Sequence, residues 1–225
     1  MANSQIQRIH SRAKDSTSLL FVIVFAFYAL QFAGSFIYGH FPPHLDFIAA
    51  LALISLGFII HLIAGVSPLV PIGLGIGLFF NIIGLYHIIP YEGYVGTLYG
   101  APQLGYHYDW IVHSFGFGFF SLAFSSLMFP YLRKSFRSYY IIFIVLLLCM
   151  LGFGAMNEIN EYLGYSYLGI GEGFLEFGDG DTSPSEGPWE NTSMDLVNNL
   201  IGGILFVGGF MLYKKYIMFN NTSEA

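Results

Sequence analysis

Pro130-Tyr131-Leu132-Arg133-Lys134-Ser135-Phe136-Arg137-Ser138-Tyr139-Tyr140-Ile141-Ile142-Phe143-Ile144-Val145-Leu146-Leu147-Leu148-Cys149-Met150 sets three positive charges against an apolar run. The charged groups must stay in water. The run after them fills every position with apolar side chains, so a helix built from it has no polar face. Such a helix is buried either in a large protein core or in lipid. Composition decides between the two. Of 225 residues, 55% are hydrophobic, 19% aromatic and only 10% charged, against about 25% charged in a typical soluble domain. Mean hydropathy is +0.63. That leaves too little polar surface to cover a water-soluble fold of this size, so the bilayer must act as solvent.

Working outward, six segments are long and apolar enough to cross about 30 Å of hydrocarbon at about 1.5 Å per residue. They run approximately 18–38, 45–65, 69–89, 107–131, 138–163 and 194–216. Turn chemistry separates them: Phe41-Pro42-Pro43, Ser67-Pro68, Glu92-Gly93 through Ala101-Pro102, and Pro130. The first run is longer than a secretory leader's apolar region and reads as a span. The basic residues test the count. All eight (Arg8, Arg12, Lys14, Arg133, Lys134, Arg137, Lys214, Lys215) fall before the first span, between the fourth and fifth, or after the sixth. With six spans every one lies on a single side, as the positive-inside rule requires. Removing one of the first four spans would split them. The expectation is an all-α, multi-pass bundle in the cell membrane, one domain over 1–225, with both termini cytoplasmic. The acids favour the opposite side: Glu92 between spans three and four, and Glu172, Glu176, Asp179, Asp181, Glu186 and Glu190 in a long loop over 164–193. Cys149 is the single cysteine, so neither a disulfide framework nor a cysteine-based zinc site can form within the chain.

Three spans carry polar side chains at helical spacing. Asp109 and His113 are four apart, Glu158 and Glu161 three apart, and Asp195 and Asn199 four apart with Asn198 beside them. Residues three or four apart share a helix face. Given the alternating direction of the spans, all six paired residues fall in the outer half of the bilayer. An acid costs about 2.5–3.5 kcal/mol at the centre of a span, and four carboxylates close together repel. One imidazole cannot balance them, and no Lys or Arg is expected at that level. A divalent cation removes the repulsion directly. The expected site is therefore a metal centre formed by Asp109, His113, Glu158, Glu161 and Asp195, with Asn198 and Asn199 behind the ligands. Mg²⁺, Mn²⁺, Zn²⁺ and Fe²⁺ all suit such donors. His61, near the inner end of the second span, reads as a packing residue with a satisfied ring. The many glycines, among them Gly73, Gly75, Gly77, Gly116, Gly118, Gly154 and Gly202, read as points of close helix approach.

Tyr108-Asp109-Trp110-Ile111-Val112-His113, Asn157-Glu158-Ile159-Asn160-Glu161, Phe174-Leu-Glu-Phe-Gly-Asp-Gly-Asp181 and Trp189-Glu-Asn-Thr-Ser-Met-Asp195, with Asn199 and Gly202, together resemble the YjdF-type family of small bacterial and archaeal inner-membrane proteins. The resemblance covers about 105–210 and implies the same six-span layout and the same polar residues, without supplying a reaction. VanZ-like proteins are more distantly similar. Their Glu-x-x-Gln pattern is replaced here by Glu158-x-x-Glu161.

Three functional classes follow from the residues. The first is a metal-dependent membrane hydrolase acting on a lipid-linked or envelope substrate, with Glu158 and Glu161 as catalytic carboxylates beside the metal. The second is a cation or proton-coupled transporter. The third is a non-catalytic membrane partner in which the polar cluster specifies helix packing. The lipid bilayer is the one partner common to all three. Nucleic acid is not expected, since there is no basic patch and no glycine-rich phosphate loop after a strand.

Overall fold

The computed structural model describes residues 2–38, 44–85, 108–168 and 188–223. Among them the chain is helical with no strand. The helices are α1 (Ala2–Arg12), α2 (Ser16–Tyr38), α3 (His44–Ala64), α4 (Leu69–Leu85), α5 (108–135), α6 (Tyr139–Leu168) and α7 (Pro188–Ser223). Five of them, α2, α3, α5, α6 and α7, are long and apolar enough to cross a membrane. The third expected span, 69–89, is seen as the 17 residues of α4, and 86–89 lie outside the described residues. Two helical stretches were not anticipated. One is α1, which precedes the first span. The other is the first turns of α7, since residues 188–193 are expected from the sequence in the long loop.

The outside of the bundle identifies its solvent. Leu19, Val22, Ile23 and Leu30 on α2, Leu56, Ile59 and Ile63 on α3, Ile144 and Leu148 on α6, and Leu205 and Leu212 on α7 are all exposed. Isolated exposed apolar residues are ordinary on a soluble protein, but ladders of them along four helices are not. The helices satisfy their own backbone groups, so lipid can cover these ladders at no hydrogen-bonding cost.

Two packed clusters lie inside. Phe21, Tyr28, Phe47, Ala50, Ile54, Val70 and Leu74 join α2, α3 and α4, and Ala123 of α5 completes that cluster. Phe129, Ile142, Leu146, Met150, Val207, Phe210 and Met211 join α5, α6 and α7. Because α5 belongs to both, it is the central element, with α4 along one flank and α7 along the other. Small residues make the α4 crossing close. A methyl group at Gly73 would stand 2.6 Å from the Phe119 carbonyl oxygen, and one at Gly77 would stand 2.8 Å from that of Gly116. Both distances are below van der Waals contact, so glycine is what allows the two backbones to touch.

The basic residues gather at one end. Arg12 donates to the carbonyls of Leu62 and Ile63 at the end of α3. Arg133 donates to the carbonyls of Phe136 and Arg137 in the α5–α6 turn and lies 4.8 Å from the Tyr139 ring centroid. Lys214 on α7 sits over the Phe129 and Phe210 rings. From the sequence, this is the end expected on the cytoplasmic side. His61 lies here too, and its ring is fully used: the Val66 amide donates to Nδ1 and Nε2 pairs with Asp15 at 3.1 Å.

Candidate metal centre

The polar residues stand far from the basic end. His113 precedes Arg133 by 20 residues, Glu158 follows Arg137 by 21, and Asp195 precedes Lys214 by 19. At about 1.5 Å per residue each separation is close to one hydrocarbon thickness of about 30 Å. Three helices of different direction thus bring their polar side chains to one level near the opposite surface.

Local geometry then brings the side chains together. α5 is interrupted where His113 lies. Tyr108–Ile111 is α-helical, Val112–Gly116 forms a π turn, and Phe117–Ser135 is α-helical again. The Phe117 amide reaches back to the Val112 carbonyl, one residue further than in an α-helix. A π turn widens the helix by one residue, and such turns often occur at functional sites. The widened backbone presses against α7, where a methyl group at Gly202 would be 2.2 Å from the Ser114 carbonyl oxygen. On the other flank, a methyl group at Gly154 of α6 would be 2.8 Å from Asn199 Nδ2. Glycine at these two positions therefore clears space on α7 for the π turn and on α6 for the Asn199 amide.

Within this frame His113, Glu158 and Asp195 are all buried, Asp195 completely and Glu158 to 6% exposure. One nitrogen of His113 and one carboxylate oxygen from each acid lie within 4.8 Å of one another. Nδ1 of His113 is 3.9 Å from Glu158 Oε1, and Nε2 is 3.9 Å from Asp195 Oδ1. These are ion-pair separations, too long for direct hydrogen bonds. The shorter contact of the ring is Nδ1 to Asn199 Oδ1, at 3.2 Å. A neutral imidazole donating from Nδ1 to that amide carries its lone pair on Nε2, on the Asp195 side. Asn198 supports the same face: its Oδ1 accepts from the Ser114 hydroxyl at 3.0 Å, and its Nδ2 donates to the Met194 carbonyl at 2.8 Å.

Among the described residues, three of the anticipated ligands come together. Glu161 is buried, but it accepts a hydrogen bond from Asn157 on its own helix and is not part of the three-residue group. Glu158 and Glu161 are about 60° apart around α6 and about 4.5 Å apart along it, so both do not reach one point equally. Asp109 opens α5 with helical backbone, and its side chain lies outside the described residues. So do Glu92, His40, His87, His107 and residues 169–187 of the acidic loop. Sequence reading missed the π turn, Ser114 and Asn157. Ser114 and Asn157 were findable, since each is one residue from a singled-out acid or histidine. The π turn leaves no periodic signal.

Charge balance is set by the whole chain. Every Lys and Arg lies before α2, at the α5–α6 turn or near the end of α7, so His113 is the one basic side chain beside Glu158 and Asp195 among the described residues. No protein-family model matches the chain, nor does any curated protein or solved structure match it significantly.

Proposed function

We propose that His113, Glu158 and Asp195 hold a divalent metal ion and that the protein is a membrane-embedded, metal-dependent hydrolase of a lipid-linked or envelope substrate, reached from the outer leaflet. The observation that carries this reading is the convergence of one imidazole and two buried carboxylates, from three helices, within 4.8 Å. Two carboxylates desolvated side by side repel strongly, and a protonated His113 offsets only one of them. Ligands around a tetrahedral ion with bonds of about 2.1 Å lie about 3.4 Å apart; Nε2 of His113 is 3.9 Å from Asp195 Oδ1, and the three donors, within 4.8 Å of one another, would close onto an ion by side-chain shifts. Of the four ions compatible with oxygen donors, an imidazole ligand favours Zn²⁺, Fe²⁺ or Mn²⁺ over Mg²⁺. A metal here would lower the pKa of a bound water toward neutrality and polarise an ester or phosphoryl oxygen. Glu161, one turn from Glu158 and hydrogen-bonded by Asn157, would take the proton.

Purified protein tests this by elemental analysis. Wild type should carry close to one ion per chain, while Glu158→Gln and Asp195→Asn should lose most of it with helix content unchanged. Negligible metal in folded wild type would remove the reading.

A second reading, cation transport, has one observation in its favour. On α5, beyond His113 toward the cytoplasmic end, Ser121 and Ser125 are fully buried, and their hydroxyls have no hydrogen-bond partner among the described residues. They continue a polar seam inward. Ion flux in reconstituted vesicles that disappears in Ser121→Ala/Ser125→Ala, with metal content retained, would favour transport over hydrolysis.

A further inference from the structure

α1 is not a span, and nothing in the proposed metal chemistry uses it. Its sequence is polar overall, yet Ile6 and Ile9 are three apart, and Ala13, whose amide donates to the Ile9 carbonyl, follows four residues on as α1 ends, so they form one narrow apolar stripe. Ile6 is 62% exposed and Ile9 41%, and Ala13 is exposed beside them. The remaining faces carry Gln5, Gln7, Arg8, His10, Ser11, Arg12 and Lys14, and no acid occurs before Asp15.

The position of this helix is fixed by its C-terminal end. A turn at 13–15 separates α1 from α2, and the Ser18 hydroxyl closes that turn by donating to the Arg12 carbonyl at 2.7 Å. Asp15 caps α2 by accepting from the Ser18 amide. The Arg12 guanidinium meanwhile caps α3 through the Leu62 and Ile63 carbonyls. Since α2 and α3 both span the membrane, α1 is held where their cytoplasmic ends meet the headgroups. There it packs on α3.

We propose that α1 lies in the cytoplasmic headgroup region as an interfacial helix, with Ile6, Ile9 and Ala13 dipped into the acyl boundary and its exposed cations on anionic lipid headgroups. An amphipathic helix with an apolar stripe and basic flanks is the form that binds this interface. Arg12 is engaged by α3, so the lipid-facing charges are Arg8 and Lys14, both exposed. Arg133, Lys134, Arg137, Lys214 and Lys215 cluster at the same level and extend the positive surface. The charge selects the occupant: each Lys or Arg beside an anionic leaflet strengthens attachment by roughly fivefold, whereas a zwitterionic surface offers no such gain.

The test uses the full chain in nanodiscs on a Cys149→Ala background, which removes the single native thiol. Nitroxides are attached at Ile6→Cys, Gln7→Cys, Ile9→Cys and Ser11→Cys, and their accessibility to oxygen and to a water-soluble nickel complex is compared. In bilayers rich in phosphatidylglycerol, positions 6 and 9 should favour oxygen and positions 7 and 11 the nickel complex. That alternation should be lost in pure phosphatidylcholine, or when Arg8→Glu and Lys14→Glu are combined. Nickel access at all four positions in both lipids would overturn the proposal. Shielding of 6 and 9 from both reagents would overturn it as well, because it would mean that protein covers the stripe. An alternation indifferent to lipid charge would overturn the anionic assignment.

Discussion

A methyl group at position 202 has nowhere to go, because the Ser114 carbonyl oxygen would be 2.2 Å away. Gly202→Ala must therefore push α7 from the π turn or straighten that turn, and overpacking of this kind costs about 1–3 kcal/mol. Gly209, two turns along the same helix, has nothing within 4 Å of the added carbon. Gly209→Ala should leave thermal stability in detergent unchanged or slightly raised, since alanine is the better helix former. The pair separates a site effect from a helix effect: a fall in melting temperature and metal content at 202 but not at 209 is the expected result. Asn199 acts through His113. Losing a side chain that orients a metal-bound imidazole typically lowers metal affinity 10–100-fold. Asn199→Ala should do so, whereas Asn199→Asp keeps an acceptor for the Nδ1 proton and should recover part of the loss. Metal titration of the three proteins measures this. Equal affinity in all three would show that the 3.2 Å contact does not orient the ring.

The π turn is the element on which the centre depends most. Val112–Gly116 holds one residue more than an α-helical turn requires, so deleting one residue there converts α5 to continuous α-helix. Each residue advances a helix by about 100°. Deleting Phe115, whose side chain is 47% exposed, should therefore keep the helix while rotating His113 away from Glu158 and Asp195. Circular dichroism should be unchanged and bound metal lost; retention of both would mean that the turn is incidental. This element also marks the boundary of what the sequence discloses. The spans were legible because about twenty uninterrupted apolar residues are a property of composition. The level shared by His113, Glu158 and Asp195 was legible because rise per residue converts distance from the charged turns into depth. The π turn was not, because no local pattern marks it; what distinguishes it is the close approach of Gly202 on α7 and Gly77 on α4, which only the folded chain shows. The choice of Glu158 over Glu161 was hidden for a related reason: spacing puts both on one face, and only packing decides which reaches the point. α1 escaped because eleven residues with a narrow apolar stripe fail every criterion for a span.

On the scale of the whole molecule, α7 alone measures the membrane. Thr192 and Lys215 are 23 residues apart on it, about 35 Å along the axis, enough to join the two aqueous boundaries. Asp195 lies one turn inside the first of these, which places the acidic cluster just below the surface opposite the basic residues. Cys149 supplies the control. It stands 12 residues into α6 from Arg137, about 18 Å deep, and it is exposed on the bundle surface, facing lipid. In intact vesicles a charged, membrane-impermeant maleimide should leave wild-type Cys149 unmodified from either side. On the Cys149→Ala background, Lys215→Cys should react from the cytoplasmic side and Thr192→Cys from the opposite side. Reaction of both positions from one side would mean that α7 does not cross. Ready reaction of Cys149 would put the apolar ladders of α6 in water, and then the depth on which the metal centre rests would have no meaning. Opposite-sided labelling with a silent Cys149 would instead place His113, Glu158 and Asp195 at the outer boundary, where a substrate in that leaflet meets them without crossing the bilayer.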